Sequence, residues 1–305
     1  MSSLPPLFAN VPVEQVPIRL IAEFPPNTFL ESIAIDPSNT LFVTSHFEGK
    51  VFRIAPDGKS EIYAAIAGKA TGLVLTPEGN LLLTGWDEQN VCTVFQITTD
   101  GTVSILVQIP DAIFLNGITP LTATSYLIAD SYRGAIWQLE VIEPKVSVWL
   151  EHSLLARSSP DKELPAVNGL KRWGKSLYAS NTEKQLVIRI PISDDFQPGE
   201  PDIFISRVNL DDFAFDLDGN LYGTTHVFNS VVKISPEGQV TILAQAEAGM
   251  VGSTALAFGQ AVDDRTGVYV VTNGGMSLPL PSGLEAAKVV RLEVGVAGLP
   301  LIVKN

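Results

Sequence analysis

Apolar residues fall along this chain in short runs that read as β-strands, and no long stretch carries a helical period to compete with them. Two kinds of turn separate the runs. One is seen at Asp36-Pro37-Ser38-Asn39, Thr76-Pro77-Glu78-Gly79-Asn80 and Asp216-Leu217-Asp218-Gly219-Asn220. The other is seen at Ala55-Pro56-Asp57-Gly58, Thr98-Thr99-Asp100-Gly101 and Ser235-Pro236-Glu237-Gly238. Proline, an acid or amide, and glycine in this order are hairpin chemistry. Aligned on these turns, the chain resolves into six copies of one unit. The first strands lie at 32–35, 72–75, 117–120, 169–172, 212–215 and 255–258. The second strands lie at 41–44, 81–84, 126–129, 177–180, 221–224 and 268–271.

Third and fourth strands complete the unit, as at 135–139 and 146–150, and the units recur every 40 to 52 residues. Four strands at that spacing describe a propeller blade. The expected fold is therefore all-β: one domain over 1–305, a six-bladed β-propeller of four-stranded antiparallel blades. The run 18–22 reads as a fourth strand with no blade before it, and the last unit, ending near Glu293, has no fourth strand of its own. Pairing the two closes the ring and removes two exposed sheet edges. Residues 294–305 receive no role.

The residue preceding each first strand is Glu31, Thr71, Asn116, Asn168, Asp211 or Thr254. First strands line the channel of a propeller, so these positions form a ring about its axis. Four of the six bear a carboxylate or an amide, Glu31, Asn116, Asn168 and Asp211, and the other two bear threonine. Hard divalent cations take such oxygens, whereas zinc favours histidine and cysteine. Two carboxylates offset a 2+ charge, and four protein donors leave room for water and substrate. The other reading of these residues is that they cap strand ends or form turns.

Composition narrows the partners. With 33 acidic and 20 basic residues the net charge is −13, which lacks the basic footprint of a nucleic-acid or anionic-membrane binder. The single cysteine, Cys92, sits in an apolar run and reads as a buried thiol, so no internal disulfide is expected. No signal pattern or membrane span is read, and a cytoplasmic monomer acting on a small molecule is the expectation.

The segments 31–36, 116–118, 168–170 and 211–216, with Ala129-Asp130-Ser131-Tyr132-Arg133-Gly134 and Gly219-Asn220-Leu221-Tyr222, resemble the metal-ligand blades of the senescence-marker-protein/gluconolactonase family, which includes regucalcin and is related to diisopropyl fluorophosphatase. The resemblance covers nearly the whole chain. It implies a divalent ion, calcium first, with magnesium, manganese or zinc as alternatives, held by Glu31, Asn116, Asn168 and Asp211. It also implies hydrolysis of sugar lactones, related esters or organophosphates. Two departures stand out. Phe114 replaces the arginine found two residues before the matching asparagine in sugar-lactone members, and Asp212 replaces a glycine. Losing that guanidinium removes a fork of donors for a polyhydroxylated substrate. The motifs 211–213, 225–226 and 252–259 look closer to a branch similar to fungal propellers that guide hetero-Diels–Alder cyclisations.

The second strands end on a second ring, His46, Trp86, Ser131, Thr182, His226 and Asn273. His226 closes the second strand of the blade that Asp211 opens, so proton transfer and a structural role both suit it. His46 and the outer His152 are weaker candidates. Trp86, Phe114, Tyr132, Phe47 and Phe228 offer an apolar wall at the mouth or serve as core packing. The segment 273–286 reads as a loop that covers the channel, and 153–166 as an insertion beside it.

The expected activity is hydrolysis of a lactone or ester, the metal polarising the carbonyl and a metal-bound water attacking it. Asp211 and His226 are the catalytic candidates, and Asn116, Phe114, Trp86, Asp212 and Tyr132 the substrate contacts. Two alternatives stay open: a non-hydrolytic cyclase using the apolar mouth with a structural metal, and a binding propeller without chemistry.

Overall fold

The computed structural model describes residue 8 and residues 10–300. It holds 24 strands in six four-stranded antiparallel sheets, and the only helical pieces among the described residues are short 3-10 turns at His226–Phe228 and Ala246–Ala248. The expected six-bladed propeller is what forms. Its closure is also as expected: the strand Ile18–Pro26 pairs with Ala286–Glu293 as the outermost strand of the sixth blade, with Ile18 opposite Leu292 and Phe24 opposite Ala287. No helix among the described residues is long and apolar enough to cross a membrane.

The core is divided around the ring. Apolar side chains form six clusters, each between the faces of two adjacent blades. The cluster joining the last blade to the first, for example, contains Leu41 and Val43 of one and Tyr269 and Val271 of the other. Middle strands are therefore buried on both faces, which explains why Leu81-Leu82-Leu83 is apolar without alternation. Circular burial locks the blades laterally and leaves the axis to polar groups.

Five of the six first strands carry a register irregularity near their start, between Leu30 and Ile33, Ala70 and Leu73, Leu115 and Ile118, Val167 and Leu170, and Ser253 and Ala255. Ring residues Glu31, Thr71, Asn116, Asn168 and Thr254 sit within these irregularities, and Asp211 stands two residues ahead of its short strand Phe213–Phe215. A β-bulge frees a residue from the ladder and re-aims its side chain, here toward the axis. Gly117 and Gly169 follow two of the ring residues. A Cβ on either would collide with the neighbouring blade, near Asn168 O in one case and Asp212 Oδ1 in the other. Glycine there lets consecutive inner strands approach closely enough to make a narrow ring.

The segment 297–299, for which the sequence offered no role, lies on the inner strand of the fifth blade. Leu299 N donates to Phe215 O at 3.1 Å and Ala297 O accepts from Leu217 N at 2.9 Å. Asp216 N bonds within its own hairpin, so in antiparallel alternation the carbonyl of Phe215 points to the opposite, axis-facing edge. The tail thus adds to the inner edge of that strand at the end of the channel remote from the ring. Residues 301–305 lie outside the described chain.

Candidate active site

Glu31, Asn116, Asn168 and Asp211 converge on a small cavity of about 30 Å³ at the axis, lined also by Gly72, Lys171, Asp212 and Thr254. A space of this kind needs about 10–15 Å³ to hold one water, so the cavity admits a single ion or one or two waters. The carboxyl of Glu31 is pushed well above the usual range, first by burial and then by the neighbouring Asp211 and Asp212 charges. Its Oε2 is buried with no hydrogen-bond partner. A buried, unpartnered carboxylate facing other carboxylates calls for a cation.

The two amides answer the same call. Asn116 Nδ2 lies 3.4 Å from Ser131 Oγ, and Asn168 Nδ2 lies 3.2 Å from Thr182 Oγ1 and also bonds Asp211 Oδ1. Ser131 donates its own proton to Val167 O at 2.6 Å and Thr182 to Leu210 O at 2.7 Å, so each hydroxyl meets the amide with a lone pair. The NH₂ groups are thereby fixed toward the hydroxyls, and no donor among the described residues bonds either amide oxygen. Two free amide oxygens, an orphaned glutamate oxygen and an aspartate make an oxygen set fit for one hard cation. No cluster of three or more histidine, cysteine, aspartate or glutamate side chains suited to a metal is found among the described residues. That leaves zinc-type ligation without support, whereas the present set owes half its donors to asparagine.

The ring threonines do something different. Thr254 Oγ1 donates to Leu30 O at 2.7 Å, and the closest acceptor of Thr71 Oγ1 is Leu115 O at 2.8 Å. With Ser131 and Thr182, they hold the carbonyl just before each of Glu31, Asn116, Asn168 and Asp211. Thr84 Oγ1 and Ser180 Oγ add bonds to the carbonyls of Asn116 and Asp211 themselves, at 2.7 and 2.9 Å. The six-fold register contains four carboxylate or amide side chains at the cavity and two clamps, where the sequence showed only six oxygen-bearing positions.

His226 lies beside Asp211, with Nδ1 2.8 Å from Oδ2. Its Nε2 faces Asn273 Nδ2 at 2.8 Å. Asn273 Oδ1 accepts from Gly275 N at 2.9 Å and Met276 N at 3.1 Å, which settles the amide orientation and makes Nδ2 the donor. The imidazole therefore carries its proton on Nδ1 and gives it to Asp211. Its second nitrogen is already engaged. Gly252 makes room for this relay, since a Cβ there would strike Asn273 Oδ1 and its φ is +67°. The loop 273–286 thus reaches the site through its first residue.

Lys171, overlooked in the sequence, enters the same cavity and pairs with Asp212 at 2.6 Å. Burial raises the Asp212 carboxyl and the ammonium opposes that rise. Asp212 therefore has a partner already, whereas Glu31 Oε2 has none.

Above the ring runs an arc of aromatic side chains. Ring centroids lie 5.8 Å apart for His226 and Phe29, 5.5 Å for Phe29 and Phe47, and 4.6 Å for Phe47 and His46. His46 and Trp86 follow at 6.1 Å, Trp86 and Phe114 at 4.8 Å, and Phe114 and Tyr132 at 5.0 Å. The Arg157 guanidinium ends the arc 4.2 Å from the Tyr132 ring, and the Tyr132 hydroxyl donates to Glu163 O, so the insertion 153–166 flanks the mouth. Phe29 was missed from sequence; its position two residues before Glu31, matching Phe114 before Asn116, was the available signal. Phe228 packs against Phe8 at 5.3 Å. His46 Nδ1 lies 2.8 Å from Ala70 O, a structural bond, and burial holds its imidazole below the ordinary value. His152 contacts Leu154 and Glu200.

No protein-family model matches the chain. A proposed hetero-Diels–Alderase from Phoma sp is 23% identical over 85% of this chain and 87% of its own length. Among solved structures, regucalcin, a calcium-binding protein from Agrobacterium tumefaciens, superposes with a TM-score of 0.73 at 16% identity, covering 95% of this chain and 97% of its own. A luciferin-regenerating enzyme gives 0.72 at 16%, covering 95% of this chain and all of its own. A gluconolactonase from Xanthomonas campestris gives 0.69 at 14%, covering 92% and 91%. Blade number, ring closure and these superpositions agree that the chain has the six-bladed propeller fold of the gluconolactonase and regucalcin structures.

Proposed function

We propose that this protein is a divalent-metal-dependent hydrolase of a lactone or ester. The observation that carries the reading is the buried, unpartnered Glu31 oxygen facing Asp211 and two free amide oxygens. Glu31, Asn116, Asn168 and Asp211 would hold the ion, calcium being the best match for an all-oxygen set. When bound, the ion supplies Lewis acidity toward the substrate carbonyl and the attacking water. The remaining work falls to the chain. Asp211 accepts the water proton, and the Nδ1 proton of His226 holds its carboxylate in one orientation. With Nε2 engaged by Asn273, His226 serves as a positioning residue, which narrows the proton-transfer role considered from sequence. Water adds to the acyl carbon, the acyl C–O bond breaks, and the departing oxygen takes the proton, giving a carboxylic acid and an alcohol.

A second reading, a cyclase that templates an apolar substrate around a structural ion, draws support from the aromatic arc and the Phoma relative. Metal analysis of the purified protein, with a lactone and ester panel run with and without chelator, separates the two. Hydrolysis that falls with chelation, returns with calcium and is lost in Asp211→Ala is expected. Full turnover after thorough chelation would sink the metal-dependent hydrolase, and bound metal with no turnover of any ester would favour the cyclase.

A further inference from the structure

We infer that the substrate is an aryl-bearing lactone or ester, its ring held by the arc over the first three blades while its acyl group meets the donor ring. This rests on the hydrolase reading for the acyl group alone. Phe29, Phe47, Phe114 and Tyr132 belong to none of the six interblade clusters, so their contacts with one another do not build the core. Only Trp86 also packs against one. Phe47 remains 56% exposed and the other rings are half-buried. A contiguous aromatic surface that is partly exposed and stands outside the core signals a binding site. Its place signals which one, because the arc starts at His226, whose proton orients Asp211. Its chemistry signals the ligand: aromatic edges and faces reward a flat ring and offer a sugar few donors. Phe114 lies within the arc, between Trp86 and Tyr132.

The test uses a matched pair without reactive groups, chroman and tetrahydropyran, which differ by one fused benzene ring. Calorimetric titration into the calcium-loaded full chain should give chroman a Kd at least about tenfold lower, the worth of one or two good ring contacts. Trp86→Leu and Phe114→Leu, checked for folding by circular dichroism, should each narrow the gap to about threefold or less. Equal affinities, or a gap indifferent to both variants, would overturn the inference. So would a concentration-dependent dimer in sedimentation that chroman fails to dissociate, since a second copy would then own the arc. Turnover of dihydrocoumarin and δ-valerolactone, which differ by the same ring, is followed alongside. Chroman preference without lactone turnover keeps the arc and removes the hydrolase. Lactone turnover without chroman preference does the reverse.

Discussion

Replacing Glu31 by glutamine should stabilise the metal-free protein and abolish its response to calcium. In the absence of an ion, the buried Glu31 carboxylate has an oxygen without a partner and is repelled by Asp211 and Asp212. Removing an unsatisfied buried carboxyl oxygen of this kind is worth about 1–3 kcal/mol. Unfolding entropy near 2.1 cal/mol/K per residue gives about 0.64 kcal/mol/K for 305 residues, so the variant should melt about 2–5 °C higher in chelator at pH 8. Calcium at a hundred times its Kd stabilises the wild type by about 2.7 kcal/mol, or about 4 °C. A hundredfold weaker site in Glu31→Gln retains about 0.4 kcal/mol at that concentration, a shift below about 1 °C. Scanning calorimetry over a calcium titration reads both effects. A variant that melts lower in chelator yet keeps the full calcium shift would show that Glu31 is a structural acid and that the four-donor ring is wrong.

Asn273→Leu should lower kcat about tenfold with little change in KM, and combined with His226→Gln it should cost no more than the worse single variant, because both act on the orientation of Asp211. Additive losses would separate them. Thr254→Val and Thr182→Val each orphan a buried carbonyl, Leu30 O or Leu210 O, and should lose about 1–3 kcal/mol in urea denaturation; a change within error would remove the clamps. Lys171→Met should tighten calcium binding by calorimetry, since Asp212 then adds an uncompensated charge to the cavity, and weakened binding would contradict that account. Cys92, buried with its thiol pushed up to about 11, should resist disulfide reagents at pH 8 until the protein unfolds. Rapid reaction of the native protein would count against that burial.

Blade number and closure were legible because turn chemistry repeats at fixed offsets, and a fourth strand was left over at the N-terminal end while the last blade lacked one. The convergence of Glu31, Asn116, Asn168 and Asp211 on one cavity was legible because the ring is a register, and a register survives in one dimension. Lys171 was also visible, as a charge in the inner strand Val167–Trp173, but its pairing with Asp212 depends on the neighbouring blade. The relay from Asn273 to His226 joins residues 47 apart in sequence, and its polarity depends on two backbone amides of a glycine-rich loop. The tail at 297–299 pairs through its main chain, with Leu299 alone packing on an apolar cluster, too short a pattern to read from sequence.

What separates a proposed ligand from a clamp in this ring is the direction of a hydroxyl proton. Thr71 and Thr254 occupy the same register as Glu31 and Asn116, yet spend their protons on the strands of the following blades. Ser131 and Thr182, one ring further out, do the same and then turn their lone pairs on the two asparagine amides. That single choice frees both amide oxygens and tethers the backbone that carries them. In the proposed site, freeing those oxygens for an ion and holding blade to blade are therefore parts of one hydrogen-bond system. The aromatic arc stands outside it, since the side chains of Phe29, Phe47, Trp86 and Phe114 take no part in those bonds. Substrate preference can then change at Phe114 or Trp86 while the donor ring stays as it is.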